Sequence, residues 1–417
     1  MSILIKNVLL NGRKKDIYIG ENTIEQINDT INLEAEFRID GKHKAAVPSL
    51  INAHTHAAMT LLQGYADDMH LSEWLENKIW PTEAKLTEDD VYRGAKLACL
   101  GMIKTGTTFF NDMYWHYHGT AKAVDESGIR SAVSAVFIDL FDEAKAKEQI
   151  KLNEKLFKET KKYSERVTFA LGPHAVYTVS EESLIWAKEF ADKHSLILHI
   201  HLSETKKEVD DCIKKHKKRP VEYLEDIGFL GSNVFAAHSI WLNDKEIELM
   251  KKYDVKPVRC PTSNMKLASG ALPYLKMKKA GLTVTLGTDG CASNNNLDML
   301  EEMKFAALLE KFHCNDSMAM PAKEAFELAT VNGAKAFNLN CGEIKEGKLA
   351  DLLLVNLKNI NLNPRHNLIS NLVYAAHGDC VDTTICNGKI LMENGKVDGE
   401  EEIIEKANEV AMDLIER

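Results

Sequence analysis

Residues 46–56 read Ala46-Val47-Pro48-Ser49-Leu50-Ile51-Asn52-Ala53-His54-Thr55-His56. The apolar run is too short for a globular helix and predicts a strand over Ala46–Asn52. It closes on two histidines one residue apart. Alternate residues of a strand face the same way, so both imidazoles point to one side and can share a metal ion. Seven more apolar runs follow: Thr107–Asn111, Ser131–Ile138, Val167–Gly172, Leu196–His201, Val234–His238, Lys256–Cys260 and Leu282–Gly287. Amphipathic stretches such as Glu88–Lys104 and Asp142–Tyr163 lie between most of them, with apolar residues three and four apart. Strands alternating with helices imply parallel βα units with right-handed crossovers, here a (β/α)8 TIM barrel over residues 50–345. An open doubly wound sheet is the rival, but no GxGxxG follows the first strand.

The ends have a different rhythm. Ile3-Leu4-Ile5, Val8-Leu9-Leu10 and Ile17-Tyr18-Ile19 open the chain, and Asp351–Val355 and Thr384–Leu391 return near its close, the last with an Asn387-Gly388 hairpin signal. Residues 1–49 and 346–417 therefore predict a composite β-sandwich domain, with Glu400–Arg417 as an amphipathic helix that packs rather than reacts. A chain of 417 residues suits a barrel with a smaller partner. The formal charge of −10 repels phosphate backbones and argues against nucleic acid as a partner. No apolar run is long enough to span a bilayer, and the N-terminus lacks a signal-peptide pattern. Eight scattered cysteines without a CxxC suit reduced thiols, so a cytoplasmic location is expected.

In a βα barrel the active site lies at the C-terminal ends of the strands. The fourth run closes on Gly172-Pro173-His174, the fifth on His199-Ile200-His201-Leu202-Ser203-Glu204, the sixth on Ala237-His238 and the eighth on Gly287-Thr288-Asp289. Each alone has an ordinary explanation. An HxH pair is a common coincidence in a chain with fifteen histidines, and an Asp after Gly-Thr is often a helix N-cap. Chance does not readily put ligand-type or acid–base residues at so many strand ends in order.

The run Pro48–His56, with His201, His238 and Thr288-Asp289-Gly290, resembles the amidohydrolase superfamily signature. More narrowly, the chain is similar to the 5-methylthioadenosine/S-adenosylhomocysteine deaminase family, including its archaeal 5′-deoxyadenosine deaminases. The stretches that carry the likeness are His54–Leu62, Trp74-Leu75, Trp80–Glu83, Gly172–Thr178, His201–Thr205, Ala236–Leu242, Leu286–Asn295 and Glu346–Val355, and they cover essentially the whole chain. The resemblance implies one catalytic divalent metal held by His54, His56, His201 and Asp289. Imidazole and carboxylate donors suit zinc, with iron or manganese as alternatives. It further implies hydrolytic deamination of adenosine-type nucleosides to the inosine analogue and ammonia, with metal-activated hydroxide attacking purine C6. Glu204 would donate the proton to ring N1 and then to the leaving amine, and it would count among the substrate contacts. His238 would orient the attacking water, and Asp289 would take its proton. His199 is assigned to the barrel interior.

By the same resemblance Glu83 would accept hydrogen bonds from the ribose hydroxyls, and His174 would contact the ribose or the purine edge. Glu83 is equally well explained as a helix N-terminal residue after Pro81. Trp74 and Trp80 would wall the purine pocket, unless they are simply core. Relatives that accept S-adenosylhomocysteine place an arginine after the third barrel strand. Here Ala135 stands at that position, and Lys145 or Lys147 would compensate only as a flexible point charge. The expected substrates thus carry a small 5′ group: 5′-deoxyadenosine, 5′-methylthioadenosine or adenosine. The rival readings are a free-base or triazine deaminase or a cyclic amidase on the same scaffold, and a non-catalytic metal-binding barrel. Two-metal members carry a bridging lysine after the fourth strand, where this chain has His174. The HxE and PCxxC pair of nucleic-acid deaminases is absent. Family analogy favours a homo-oligomer, with a tetramer as the working guess.

Overall fold

The computed structural model describes residues 1–417, the side chain of residue 72 excepted. The N-terminal strands are β1 (Ser2–Leu10), β2 (Arg13–Gly20), β3 (Thr23–Asn28), β4 (Phe37–Asp40) and β5 (Lys44–Pro48). Eight strands then follow in the centre: β6 (Leu50–Thr55), β7 (Thr107–Tyr114), β8 (Arg130–Phe137), β9 (Val167–Pro173), β10 (Ile197–Leu202), β11 (Val234–His238), β12 (Lys256–Arg259) and β13 (Thr285–Leu286). The last strands are β14 (Leu352–Asn356), β15 (Val381–Cys386) and β16 (Lys389–Met392).

β6 to β13 pair in sequence order, every neighbour parallel. Most of these strands are buried on both faces, so they read as continuous apolar runs rather than as alternation. Between β13 and β6 the barrel is closed largely by side chains. The Asn52 amide donates to Thr288 Oγ1 (2.7 Å), the Thr288 N–H donates to Asn52 Oδ1 (3.0 Å), and the Asp289 N–H donates to the His54 carbonyl (3.0 Å). Gly287 makes this approach feasible, because a Cβ there would lie 2.7 Å from the His54 nitrogen.

Two expected strands need correction. The run Ala46–Asn52 is not one strand: Lys44–Pro48 pairs antiparallel with β14, and Leu50–Thr55 enters the barrel. Pro48 has no N–H to continue a ladder. At Ser49 the chain changes sheets, its N–H reaching the Asp351 carbonyl (3.3 Å) while the Leu50 N–H reaches that of Gly106 (2.9 Å). The run Leu282–Gly287 yields only Thr285–Leu286, because the Val284 carbonyl accepts from the Asn332 side chain and Thr288 turns to Asn52.

The expected TIM barrel is present, and strands from both termini come together as expected. The terminal strands join in one mixed sheet, ordered β16-β15-β14-β5-β1-β2-β3 with β4 on β1. It encloses its own apolar cluster of Ile3, Ile5, Val8, Ile17, Ile19, Leu352 and Leu354. The barrel's first long helix, Glu88–Thr105, starts in a capping box of Thr87 and Asp90 and stops at Gly106, whose φ is 91°. A Cβ on Gly106 would lie 2.4 Å from Leu353 of β14, so the backbone seats tightly against the terminal sheet. Burying a leucine such as Leu353 at this joint stabilises the pair by about 1.5–3 kcal/mol. The C-terminal helix Glu400–Glu416 leaves the terminal sheet and packs on Glu88–Thr105, burying Ala407 and Leu414. Arg417, one residue past the helix, grips Asp90 with two nitrogens, at 2.7 and 2.9 Å.

Candidate active site

The strand ends named in the sequence converge at the C-terminal mouth of the barrel. The Nε2 atoms of His54 and His56 each lie 3.2 Å from Asp289 Oδ1, and His201 Nε2 lies 3.2 Å from His56 Nε2. One ligand atom each from His54, His201 and His238 falls within 4.8 Å of the others, as do those of His54, His56 and Asp289.

Backbone and side-chain partners fix how these groups point. His56 Nδ1 donates to the Met113 carbonyl (2.6 Å) and His201 Nδ1 to that of His174 (2.9 Å), which turns the lone pair of each Nε2 into the cluster. Asp289 Oδ2 accepts from Ser263 (2.7 Å) and Ser293 (2.9 Å). His54 Nε2 is buried and has no hydrogen-bond partner. Ser203, His238 and Asp289 adopt left-handed backbone angles of 50°, 68° and 63°, a strained choice that re-aims each side chain at the strand end.

Electrostatics sort the donors. Burial pushes His54 down to about 4 and holds His201 well below the ordinary histidine range. Asp289 is held well below the usual carboxylate range: burial opposes this, but the His54 and His56 rings beside it outweigh it. Burial likewise lowers His56, yet the Asp289 carboxylate overcomes it and lifts the ring to about 9. Two neutral imidazoles, an ionised carboxylate, a proton trapped among converging nitrogens and an orphaned buried His54 nitrogen fit a divalent cation, whose binding would displace that proton.

Glu204 follows a turn clamped by Glu208, whose two oxygens accept from the Ser203 N–H (2.7 Å) and the Glu204 N–H (2.9 Å). Its own carboxyl is buried, accepts from Ser269 Oγ (3.2 Å) and stands 3.8 Å from His238 Nε2. Burial raises its pKa and favours the protonated form. The Asn264 amide donates to Nδ1 of His238 (3.0 Å), which leaves the ring proton on Nε2, facing Glu204 and the cluster.

A cavity opens over these groups, lined by His56, His174, His201, Glu204, His238 and Asp289 on the inside and by Trp74, Trp80, Glu83 and Tyr177 further out. Both tryptophans singled out in the sequence thus reach the cavity. Glu83 does close the short helix that Pro81 opens, and its carboxylate also faces the cavity, accepting from Trp115 Nε1 (3.1 Å). His174 Nδ1 meets Thr178 Oγ1 (2.8 Å), and burial lowers the ring to about 3. Neither Lys145 nor Lys147 lines the cavity: Lys147 pairs with Glu143, and the Lys145 N–H caps its helix on Asp142. Trp115, Ser263, Asn264, Ser269 and Glu208 escaped the sequence reading. Ser263 and Asn264 lie on the short helix Pro261–Lys266 that follows the seventh barrel strand, where no local pattern singles them out.

A parallel barrel carrying a His and Asp cluster at its C-terminal mouth is the architecture of metal-dependent hydrolases, and residues 45–391 match the Amidohydrolase family. The chain belongs to that family. It is 53% identical over 386 residues to the 5-methylthioadenosine/S-adenosylhomocysteine deaminase 1 of Archaeoglobus fulgidus, covering 92% of this chain and 91% of that protein. It is 50% identical to the 5′-deoxyadenosine deaminase of Methanoregula boonei, covering 100% and 96%. Among solved structures, an adenosine deaminase from Xanthomonas campestris with bound zinc superimposes with a TM-score of 0.94 at 31% identity, covering 100% and 99%.

Proposed function

We infer that this protein deaminates adenosine-type nucleosides hydrolytically, replacing the 6-amino group of the purine by oxygen and releasing ammonia. The observation that carries the reading is a buried Glu204, its pKa raised by burial, beside His238 at the edge of a cluster with one ionised carboxylate and several neutral imidazoles. His54, His56, His201 and Asp289 would hold one divalent cation, zinc by the nature of the donors, with iron or manganese as lesser fits. When bound, such an ion supplies Lewis acidity and lowers the pKa of water toward about 7.

The chain's own residues do the rest. Asp289 accepts a proton from the attacking water at the oxygen the serines leave least engaged. Glu204 delivers its proton to ring N1 as C6 becomes tetrahedral, and a proton passed on through the same carboxyl makes the amine leave as ammonia. His238, with its proton on Nε2, donates a hydrogen bond to the attacking oxygen. Glu83 accepts from the ribose hydroxyls, His174 contacts the ribose or purine edge, and Trp80 with Trp74 walls the base. The catalytic unit is residues 50–345, with residues 1–49 and 346–417 as its structural partner. Eight unpaired cysteines suit a cytoplasmic enzyme, and we read it as a homo-oligomer.

Incubation with 5′-deoxyadenosine and 5′-methylthioadenosine tests the reading directly. Stoichiometric ammonia and the matching hypoxanthine nucleoside are expected, with loss on chelation and recovery on adding zinc. Absence of ammonia from every adenosine-type nucleoside overturns it.

A further inference from the structure

Glu208 fixes the backbone of the turn that carries Glu204, but it leaves the Glu204 carboxyl itself free, because the last torsion of a glutamate side chain is broad. Among the described residues the one hydrogen bond to that carboxyl comes from the Ser269 hydroxyl, on Oε1 (3.2 Å), while Oε2 stands on the side of His238 (3.8 Å). Ser269 sits in irregular backbone between Ala268 (φ 52°) and Gly270 (φ 124°), where no helix or strand ladder holds it. Two ties do so instead. Its N–H donates to the Asn264 carbonyl (2.9 Å), and its carbonyl accepts from the indole Nε1 of Trp241 (2.8 Å). Trp241 is 40% exposed, yet its one side-chain donor is spent on Ser269, and its backbone N–H reaches the Ser203 carbonyl (2.9 Å). The two segments meet closely: a Cβ on Gly270 would lie 2.9 Å from Cγ2 of Ile240. A closed circuit of hydrogen bonds and main chain thus runs from Glu204 through Ser269 and Trp241 to Ser203, the residue before it. The cavity lining includes neither Ser269 nor Trp241.

We propose that Trp241 and Ser269 are the positioning pair for Glu204: the indole N–H pins the Ser269 backbone, and the serine hydroxyl holds Oε1 so that Oε2 keeps its place beside His238. The proposal rests on the reading of Glu204 as the proton carrier. Proton transfer needs the carboxyl within hydrogen-bond reach of its target, and a displacement of about 1 Å costs as much as about a hundredfold in rate. A glutamate without its tether spreads over rotations of the carboxyl plane, and only part of them reach the target. The loss falls on turnover and not on substrate affinity, since neither partner lines the cavity.

The test uses full-length, zinc-loaded enzyme with 5′-deoxyadenosine, and zinc content and Tm are measured for every variant. Ser269→Ala should lower kcat about tenfold while KM changes by less than about twofold, the effect of one lost hydrogen bond on a buried group. Ser269→Thr, which keeps the hydroxyl, should restore most of that rate. Trp241→Phe, which keeps a ring and loses the N–H, should lower kcat about threefold. Two combinations read the coupling. Ser269→Ala should cost nothing further in a Glu204→Gln background, and Trp241→Phe should cost nothing further in a Ser269→Ala background, because each acts only through the next. Wild-type kcat in Ser269→Ala or in Trp241→Phe overturns the pair, as do losses that multiply in either combination, or a loss matched by missing zinc or a fall in Tm. A nearly inactive Glu204→Gln beside an unaffected Ser269→Ala overturns the pair alone. Near wild-type turnover in Glu204→Gln overturns the reading of Glu204 and the pair together.

Discussion

Nδ1 of His54 and Nε2 of His199 lie 2.6 Å apart inside the barrel, both rings fully buried. That contact fixes the orientation of the His54 ring and turns its Nε2 toward Asp289 (3.2 Å). His199 therefore governs the cluster without belonging to it. Replacing it by phenylalanine should fill the space, release His54 from its orientation and weaken zinc binding by about 10–100-fold. Competition against a chromophoric chelator measures this. Zinc should also raise the Tm of the wild type in a concentration-dependent way, because a ligand bound only by the native state stabilises it by about 4 kcal/mol at a thousandfold excess over Kd. In His199→Phe the rise should need proportionately more zinc.

Glu204 presents its carboxyl on a turn held by Glu208, so the side chain can be neutralised without disturbing the fold. Glu204→Gln should keep full zinc content and lose about 10²–10⁴ in kcat, the usual range for a lost general acid. Metal analysis alongside steady-state rates checks both halves. Near wild-type turnover in a zinc-replete Gln variant removes Glu204 from the reaction.

Much of this centre lay open in the primary structure because its chemistry sits at strand ends. His54, His201, His238 and Asp289 each follow an apolar run, and strand geometry alone aims them at a common mouth. The sheet change at Ser49 left no such mark, since Ala46–Asn52 stays apolar across Pro48 and periodicity cannot tell one sheet from the next. Partners made only by barrel closure were equally silent. Ser269 meets Glu204 from 65 positions away and Ser263 meets Asp289 from 26, and nothing local to a serine announces such contacts. The C-terminal helix shows a related limit: its amphipathic pattern promises a packed face but does not say which neighbour it covers.

Two buried carboxyls outside the histidine–aspartate cluster should govern the pH dependence of stability. Burial pushes Glu208 and Glu302 each up to about 8 from an ordinary 4.5, against the hydrogen bonds they accept from backbone and Asn294. The native state then keeps protons that the unfolded chain has already released. Their stabilisation is complete below pH about 4.5 and is lost as pH rises through about 8. Thermal melts of the zinc-loaded protein should show Tm falling from pH 6 to pH 9. Glu302→Gln, a neutral mimic of the protonated side chain, should flatten part of that fall. A slope identical to the wild type would show that Glu302 does not titrate there.

Arg259 and Glu310 form an ion pair at 2.6 Å with both side chains 1% exposed, joining β12 to the helix Met299–Cys314. Taking both charges from water costs nearly what their attraction returns, so the pair itself adds little net stability. Breaking it is another matter. Glu310→Ala strands a guanidinium whose Nε and Nη2 already lack partners, and burial is already pulling its pKa down. That variant should lose about 3–5 kcal/mol in urea unfolding, while Arg259→Met with Glu310→Leu together should lose far less or even gain. A double-mutant cycle separates the two cases. If the single and double variants lose the same amount, the cost lies in lost packing between strand and helix and not in the orphaned charge.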